Sequence, residues 1–139
     1  MSWAQDAVFY HIYPLGFCGA PEYNDFANPV PRLDKLYDWI PHLKALGITA
    51  VYFGPVFQST RHGYDTADYY RVDSRLGDND SFARLCGALH QNGIRVVLDG
   101  VFNHVGRDFW AFQDVQKNGQ SSPYCGWFHN LNFGGPSPM

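Results

Sequence analysis

Three short apolar segments divide the first hundred residues into repeating units. Residues 7–13, 50–53 and 95–98 are rich in β-branched, aromatic and aliphatic residues. Such segments are typical of strands in a parallel sheet that is covered by helices. Between them, apolar residues at helical spacing predict helices over 33–46 and 80–92. The order strand, loop, helix, strand, loop, helix, strand predicts an α/β fold.

Polar and small residues mark the ends of these elements. Pro41 interrupts the first helical pattern and should kink that helix or split it in two. Gly47 suits the position after a helix end, and residues 78–81 supply N-cap side chains for the second helix. A short helix is predicted over 109–117. Residues 118–139 are rich in Gly, Ser, Pro and aromatic residues and are expected to be irregular.

The predicted connections after strands are long, whereas those after helices are short. The long loops therefore lie at the C-terminal ends of the strands, as they do in barrel enzymes. An open doubly wound sheet is the structural alternative, and it usually carries a Gly-rich phosphate loop after its first strand. Residues 14–19 read Pro-Leu-Gly-Phe-Cys-Gly and match that loop poorly.

Polar side chains that could do chemistry collect after the second and third predicted strands. In parallel sheets, the C-terminal strand ends are where such residues form sites. We expect the two clusters to occupy equivalent points of successive βα units and to face one pocket. The six side chains are His62, Tyr64, Asp65, Asp99, Asn103 and His104.

Composition and charge limit the kinds of binding partner that we expect for this chain. The chain has 139 residues and a net charge of −3, and its 10 Lys and Arg residues are scattered. That pattern favours neither nucleic acid nor a membrane surface, and no apolar run approaches the roughly 18 residues of a membrane span. Aromatic residues make up 17% of the chain. Many fall in predicted loops, where they either pack beneath the loop or stack on the apolar faces of sugars.

The cysteines and the N-terminal residues indicate in which cellular compartment we expect the protein. Cys18, Cys86 and Cys125 are odd in number and widely spaced, so they form neither a disulfide framework nor a zinc pattern. The first six residues lack the basic region and apolar core of a signal peptide. We therefore expect a cytoplasmic location.

Four motifs, in this order, resemble the α-amylase family of glycoside hydrolases, nearest to its cyclomaltodextrinase and neopullulanase branch. They occupy residues 9–14, 46–57, 63–69 and 99–104. Residues 112–115 and 127–128 are similar to the start of the excursion that follows strand three. The resemblance implies the first three strands of a (β/α)₈ TIM barrel over residues 1–104 and the start of the inserted domain B over 105–139. A whole barrel needs roughly 250 residues, so we expect an N-terminal fragment of a larger enzyme.

The resemblance implies retaining hydrolysis of α-glucosidic bonds in malto-oligosaccharides, cyclodextrins or starch. This reaction uses two carboxyl groups about 5–5.5 Å apart. The family's nucleophilic Asp, acid/base Glu and transition-state Asp lie on strands four, five and seven, so no catalytic residue is expected in this chain. His104 is expected to hydrogen-bond sugar hydroxyls, and Tyr64 to stack on the same sugar, with His62 as a neighbour.

Supporting roles are implied for the carboxylates and the amide. Asp65 should orient Tyr64 or a neighbouring Arg, and Asp99 should support the site from inside the barrel rather than act as the nucleophile. Asn103 matches a position that binds calcium in many amylases. One amide oxygen falls far short of the six to eight oxygens that calcium takes, and the branch often lacks this site. The metal is therefore left unassigned, with calcium an open question for the longer protein.

Two other functions fit parts of the pattern. The same fold serves as the non-catalytic heavy chain of amino-acid transporters, but those carry an upstream membrane helix and none precedes Asp6. A carbohydrate-binding module would use the aromatic loops, but such modules are usually β-sandwiches. Three strands of an unclosed barrel leave one face and an apolar edge of the sheet uncovered, so we expect the chain alone to self-associate or to need the missing C-terminal part.

Overall fold

The computed structural model describes residues 2–135, so residues 136–139 of the predicted irregular segment lie outside the described part. Single-turn 3₁₀ helices occur at Trp3–Gln5, Gly119–Ser121 and Cys125–Trp127. The main elements in chain order are β1 (Phe9–Ile12), α1 (Pro14–Phe17), a long 3₁₀ helix (Arg32–Trp39), α2 (Ile40–Ala45), β2 (Ala50–Phe53), β3 (Phe57–Ser59), β4 (Thr66–Val72), α3 (Asn79–Gln91), β5 (Arg95–Leu98) and α4 (Trp110–Asn118).

A three-stranded parallel sheet forms the centre of the fold. Its strand order is β1-β2-β5, and Ala50 of β2 lies opposite Phe9 on one side and Arg95 on the other. The predicted parallel pairing of these three strands is confirmed. Their C-terminal ends therefore lie at one edge of the sheet, where side chains from different βα units can meet.

One face of the sheet is covered by the helices. Val51 and Phe53 of β2 are fully buried there. The opposite face carries His11 and Tyr52, whose rings stack with centroids 4.8 Å apart. His11 is exposed, because no second layer covers this face within residues 2–135. The side chains that pack in the apolar layer include Leu33, Leu36, Ile40, Leu43, Leu76, Leu85, Leu89 and Ile94.

The first predicted helix is divided, as Pro41 indicated. Its first half is the 3₁₀ helix Arg32–Trp39, and its second half is α2. Pro41 lies in the first turn of α2, where a missing backbone N–H costs nothing. None of the helices in residues 2–135 combines the length and the apolar character needed to cross a membrane.

The segment after β2 differs from the prediction of a long loop. It forms an antiparallel hairpin, in which Phe57 of β3 lies opposite Val72 of β4 and Ser59 lies opposite Thr66. The expectation of a long loop without strands is therefore wrong. Residues 62–65 lie in the turn of this hairpin, within the connection that follows β2. A smaller difference is α1, which opens the segment expected to be a loop and has Pro14 at its first position.

Buried polar side chains join the hairpin to the segment after α1. The Asn24 side chain donates to Gln58 Oε1 and to the Ser59 carbonyl, both at 2.9 Å. The Ser74 hydroxyl donates to Asn24 Oδ1 at 3.0 Å. Beside them, Asp73 and Arg75 form a buried ion pair. Because buried polar groups must find partners, this network requires the two loops to lie together.

Helix α3 begins with a capping box. The Asp78 carboxylate accepts a hydrogen bond from the Ser81 amide at 2.7 Å, and the Ser81 hydroxyl accepts one from the Asp78 amide at 2.9 Å. Gly77 precedes this cap with φ of +151°, and a Cβ there would overlap the Ser81 hydroxyl. The hydrogen bonds from Ser81 lower the pKa of Asp78, because they favour its charged form.

Replacing Asp78 with Ala should lower the midpoint of thermal unfolding at pH 7. Since the folded-state pKa of Asp78 is lowered, its contribution is complete above its ordinary pKa of about 3.9 and is lost as pH falls through the lower folded value. The difference between Asp78→Ala and wild type should therefore shrink at about pH 3. Asp80→Ala, which removes an exposed charge from the same helical turn, is the control. An equal difference at both pH values would contradict the assignment.

Candidate functional site

Two loops meet at the C-terminal edge of the parallel sheet. One is the hairpin loop, residues 60–65, and the other is the segment of residues 99–106 after β5. The His104 ring nitrogen Nε2 lies 2.9 Å from the Tyr64 carbonyl oxygen. The Gly106 amide donates to the Thr66 carbonyl at 2.9 Å. These two contacts bring the predicted site residues of both loops together.

The contact with the Tyr64 carbonyl determines the orientation of the His104 ring. A carbonyl oxygen only accepts hydrogen bonds, so Nε2 must carry the hydrogen. In the neutral imidazole, Nδ1 is then the acceptor. His104 is exposed, so its ring is held on one side and accessible to solvent. The arrangement can accept a hydrogen bond from a hydroxyl group of a bound molecule.

Tyr64 of the hairpin loop and Asp99 after β5 interact electrostatically where the two loops meet. Partial burial and the nearby Asp99 carboxylate raise the pKa of the Tyr64 hydroxyl. The same two causes, burial first, raise the pKa of Tyr52 on β2. The carboxylate of Asp99, which directly follows β5, therefore contributes to the raised pKa values of both hydroxyls. Tyr64 keeps 41% of its surface exposed, which leaves its ring available for stacking.

Asp65 and His62 organise the turn in which they lie. The Asp65 carboxylate accepts hydrogen bonds from the amides of Arg61 at 2.8 Å and Gly63 at 3.1 Å. His62 Nδ1 accepts from the Tyr64 amide at 3.2 Å. A carboxylate that is used in this way stabilises the loop conformation. His62 is exposed at the rim of the site, with 61% of its side chain accessible.

Asn103 is exposed in the loop after β5. Residues 2–135 contain no group of three or more His, Cys, Asp or Glu side chains arranged to hold a metal ion. Within this part of the chain, Asn103 therefore does not join a cluster of three or more such side chains.

Sequence reasoning missed two residues that hold the segment after β5. The Tyr69 hydroxyl on β4 donates to the Val101 carbonyl and lies 3.2 Å from the His104 carbonyl. Gly106 passes so close to the hairpin that a Cβ would overlap the Asp65 carbonyl oxygen. Only the Tyr-rich, partly alternating pattern of residues 66–72 could have indicated such a strand.

Two further residues hold the hairpin loop from the other side. The Tyr13 hydroxyl donates to the His62 carbonyl at 2.8 Å. The Arg75 guanidinium donates to the Arg61 carbonyl at 2.8 Å. The loop that carries Tyr64 is therefore bonded to the end of β1, to the segment after β4 and to the segment after β5.

An open groove extends from His104 towards the C-terminal part of the described chain. Its volume is about 340 Å³, and its lining includes Arg107, Trp127, Phe128 and His129. Trp127 is 59% exposed. The groove combines aromatic surfaces with polar donors, which is the mixture that small-molecule sites use.

Comparison with known proteins finds relatives that match nearly the whole chain. Residues 13–137 match the family model described as alpha amylase, catalytic domain. A cyclomaltodextrinase from Bacillus sp. is 43% identical over 92% of this chain and 26% of its own length. Neopullulanase 2 from Thermoactinomyces vulgaris is 42% identical over 94% of this chain and 25% of its own length. The chain thus spans about a quarter of the length of these curated relatives.

Solved structures give the same result. A cyclomaltodextrinase structure superimposes with a TM-score of 0.77 at 39% identity, over 94% of this chain and 25% of its own. A cyclic α-maltosyl-(1→6)-maltose hydrolase from Arthrobacter globiformis, in complex with cyclic α-maltosyl-(1→6)-maltose, gives 0.81 at 36% identity, over 95% of this chain and 33% of its own. The parallel sheet aligns with part of the catalytic barrel, and the chain belongs to the α-amylase catalytic-domain family.

Proposed function

We propose that this chain is the N-terminal portion of a retaining α-glucan hydrolase that acts on malto-oligosaccharides, cyclodextrins or starch. The observation that carries the proposal is the junction of His104 with the Tyr64 carbonyl, which joins an imidazole and an exposed aromatic ring at the C-terminal edge of the sheet. Relatives named as cyclomaltodextrinase, neopullulanase and maltogenic amylase support the substrate class.

Each of these side chains has a distinct role in the proposal. The Tyr64 ring covers the apolar face of one glucosyl unit, and His104 Nδ1 accepts a hydrogen bond from a hydroxyl of the same unit. The Asp99 carboxylate lies close enough to the Tyr64 hydroxyl to raise its pKa. As the sugar ring flattens towards its oxocarbenium-like transition state, hydrogen bonds to its hydroxyls strengthen, so His104 contributes more to the transition state than to the ground state.

The catalytic carboxyl pair lies outside this chain in the proposal. Both Asp65 oxygens already accept amides of their own turn, and the Asp99 carboxylate contributes to the raised pKa values of two phenols. Neither is arranged as a free nucleophile or as a proton donor. The part of the relatives that this chain does not cover has room for both carboxyl groups.

In the intact protein, His104→Ala should reduce kcat/KM for maltotriose by roughly 30- to 1,000-fold. This range corresponds to about 2–4 kcal/mol, the usual effect of removing one preorganised hydrogen-bonding group. His90→Ala, an exposed histidine at the end of α3, should leave kcat/KM unchanged. A His104→Ala variant with normal kinetics and a much lower melting temperature would show that His104 only stabilises the fold.

Tyr64→Ala in the intact protein should impair kcat/KM more than Tyr64→Phe does. The Phe variant keeps the stacking ring and loses only the hydroxyl beside Asp99, whereas the Ala variant loses both. Steady-state kinetics, recorded below the melting temperature of each variant, separate the two effects. If Tyr64→Phe is as impaired as Tyr64→Ala, the ring is not the contributing group.

The purified 139-residue chain should not hydrolyse maltotriose or β-cyclodextrin above the buffer background. The reason is that nucleophilic and acid/base catalysis need the carboxyl pair that we place elsewhere. Sugar release is measured by chromatography over a day. A mock purification from cells without the gene controls for host enzymes. Turnover that exceeds this control would overturn the placement of the carboxyl pair.

The isolated chain should also self-associate through the free edge of β5. Only one side of β5 is paired within residues 2–135, and Leu98 on it is 37% exposed. Leu98→Lys should shift the chain towards monomer in sedimentation velocity, because a charged residue opposes edge-to-edge pairing. Leu46→Lys, at an exposed helix end away from the sheet, should have no such effect. A monomeric wild-type chain with cooperative unfolding would contradict this prediction.

A further inference from the structure

Arg75 is a charged side chain that the fold removes almost completely from solvent. The side chains of Arg75 and Asp73 are 3% and 1% exposed. The pair is bidentate, since Nε donates to Asp73 Oδ1 and Nη2 donates to Asp73 Oδ2, both at 2.9 Å. Burying such a pair often adds no net stability, because the cost of desolvation offsets the Coulombic attraction. We therefore ask what the buried pair does for the positions of the neighbouring loops.

The remaining nitrogen of the guanidinium binds backbone carbonyls. Nη1 lies within hydrogen-bond distance of the carbonyl oxygens of Pro21 at 2.8 Å, Glu22 at 2.9 Å and Arg61 at 2.8 Å. The first two belong to the segment after α1, and the third belongs to the hairpin loop. One planar group therefore sets the distance between loops that come from different βα units.

The hairpin loop is fixed at both of its ends. At its start, Asp73 Oδ2 accepts hydrogen bonds from the Ser59 amide at 3.1 Å and the Ser59 hydroxyl at 2.9 Å. At its end, Thr66 accepts the Gly106 amide. Between these points, the Arg75 guanidinium holds the loop one residue before His62, on the approach to Tyr64.

We propose that Arg75 is a positioning residue for the candidate sugar site: its guanidinium fixes the hairpin loop so that Tyr64 lies beside His104. The placement of Tyr64 stands independently of the proposed function, and only the effect on turnover rests on it. Lysine could pair with Asp73, but it lacks the planar fork that reaches the carbonyls at the same time. A misplacement of about 1 Å can reduce a rate by about 10²-fold.

The placement of Tyr64 can be measured directly by ¹⁹F NMR of the intact protein labelled with 3-fluorotyrosine. The Tyr64 resonance is the one that disappears in Tyr64→Phe. Arg75→Lys should shift or broaden this resonance and leave unchanged that of Tyr124, which packs in a separate apolar cluster and is assigned through Tyr124→Phe. Arg71→Lys is the matched control, because Arg71 is an exposed arginine on β4, with 75% of its side chain accessible. It should move neither resonance.

The kinetic consequence is measured on the same variants. At a temperature where circular dichroism shows a folded protein, Arg75→Lys should lower kcat for maltotriose roughly tenfold or more and change KM less than about threefold. Arg71→Lys should have wild-type kinetics. A Tyr64 resonance that moves without any loss of turnover would refute the proposed role of Tyr64 in the reaction, while the positioning role of Arg75 would stand.

Two results would overturn the positioning role itself. The first is an unmoved Tyr64 resonance in folded Arg75→Lys. The second comes from Tyr13→Phe, which removes only the hydroxyl that donates to the His62 carbonyl at 2.8 Å and remains informative if Arg75→Lys does not fold. Tyr13 also holds this loop, but in Tyr13→Phe the Arg75 guanidinium still binds the Arg61 carbonyl, so the Tyr64 resonance should move little. A large displacement would show that Tyr13, rather than Arg75, sets the position of the loop.

Discussion

A guanidinium and a carboxylate that are withdrawn from water must be paired, and their remaining hydrogen-bonding positions must be filled. In this chain that requirement applies to Asp73 and Arg75, and it organises the loops around them. Their free positions are filled by Ser59 and by carbonyls from two separate loops. The apolar layer includes Leu76, which directly follows Arg75, so the ion pair and this part of the layer are buried together. The loop positions are therefore a condition of burying the charges.

The candidate site also depends on side chains that bind backbone groups. These hydrogen bonds fix the loops, and the loops position the site residues. Tyr13, Tyr69 and His104 each direct a polar group at a carbonyl of a neighbouring loop. Asp65 binds amides of its own turn. Hydrogen bonds from side chains to the backbone of neighbouring loops therefore fix the site. The groups that stay accessible are the Tyr64 ring and one ring nitrogen of His104.

The sequence predicted those elements in which one periodicity dominates. The three parallel strands and α3 follow apolar patterns of the expected spacing, and Pro41 correctly indicated the division of the first helix. The hairpin of residues 57–72 was missed because its buried positions include Gln58, Ser59 and Thr66. Those polar residues are buried through long-range hydrogen bonds, which a local pattern does not contain. The roles of individual site residues came from family motifs, and their tests remain experimental.

The close approach at Gly106 has a consequence for how such proteins diversify. The segment after β5 is fixed to the hairpin up to this glycine, where an added Cβ would overlap the Asp65 carbonyl, and α4 begins only a few residues later. The Asp108 carboxylate also accepts a hydrogen bond from the Thr60 hydroxyl of the hairpin loop at 2.8 Å, so only insertions or deletions beyond Asp108 would leave these contacts in place. Changes in the residues that follow would alter the outer wall of the groove, to which Trp127 and Phe128 contribute, while the contacts around His104 and Tyr64 stay the same. Gly106 and Asp108 would then mark the limit of the part of the chain whose length is fixed by contact with the hairpin.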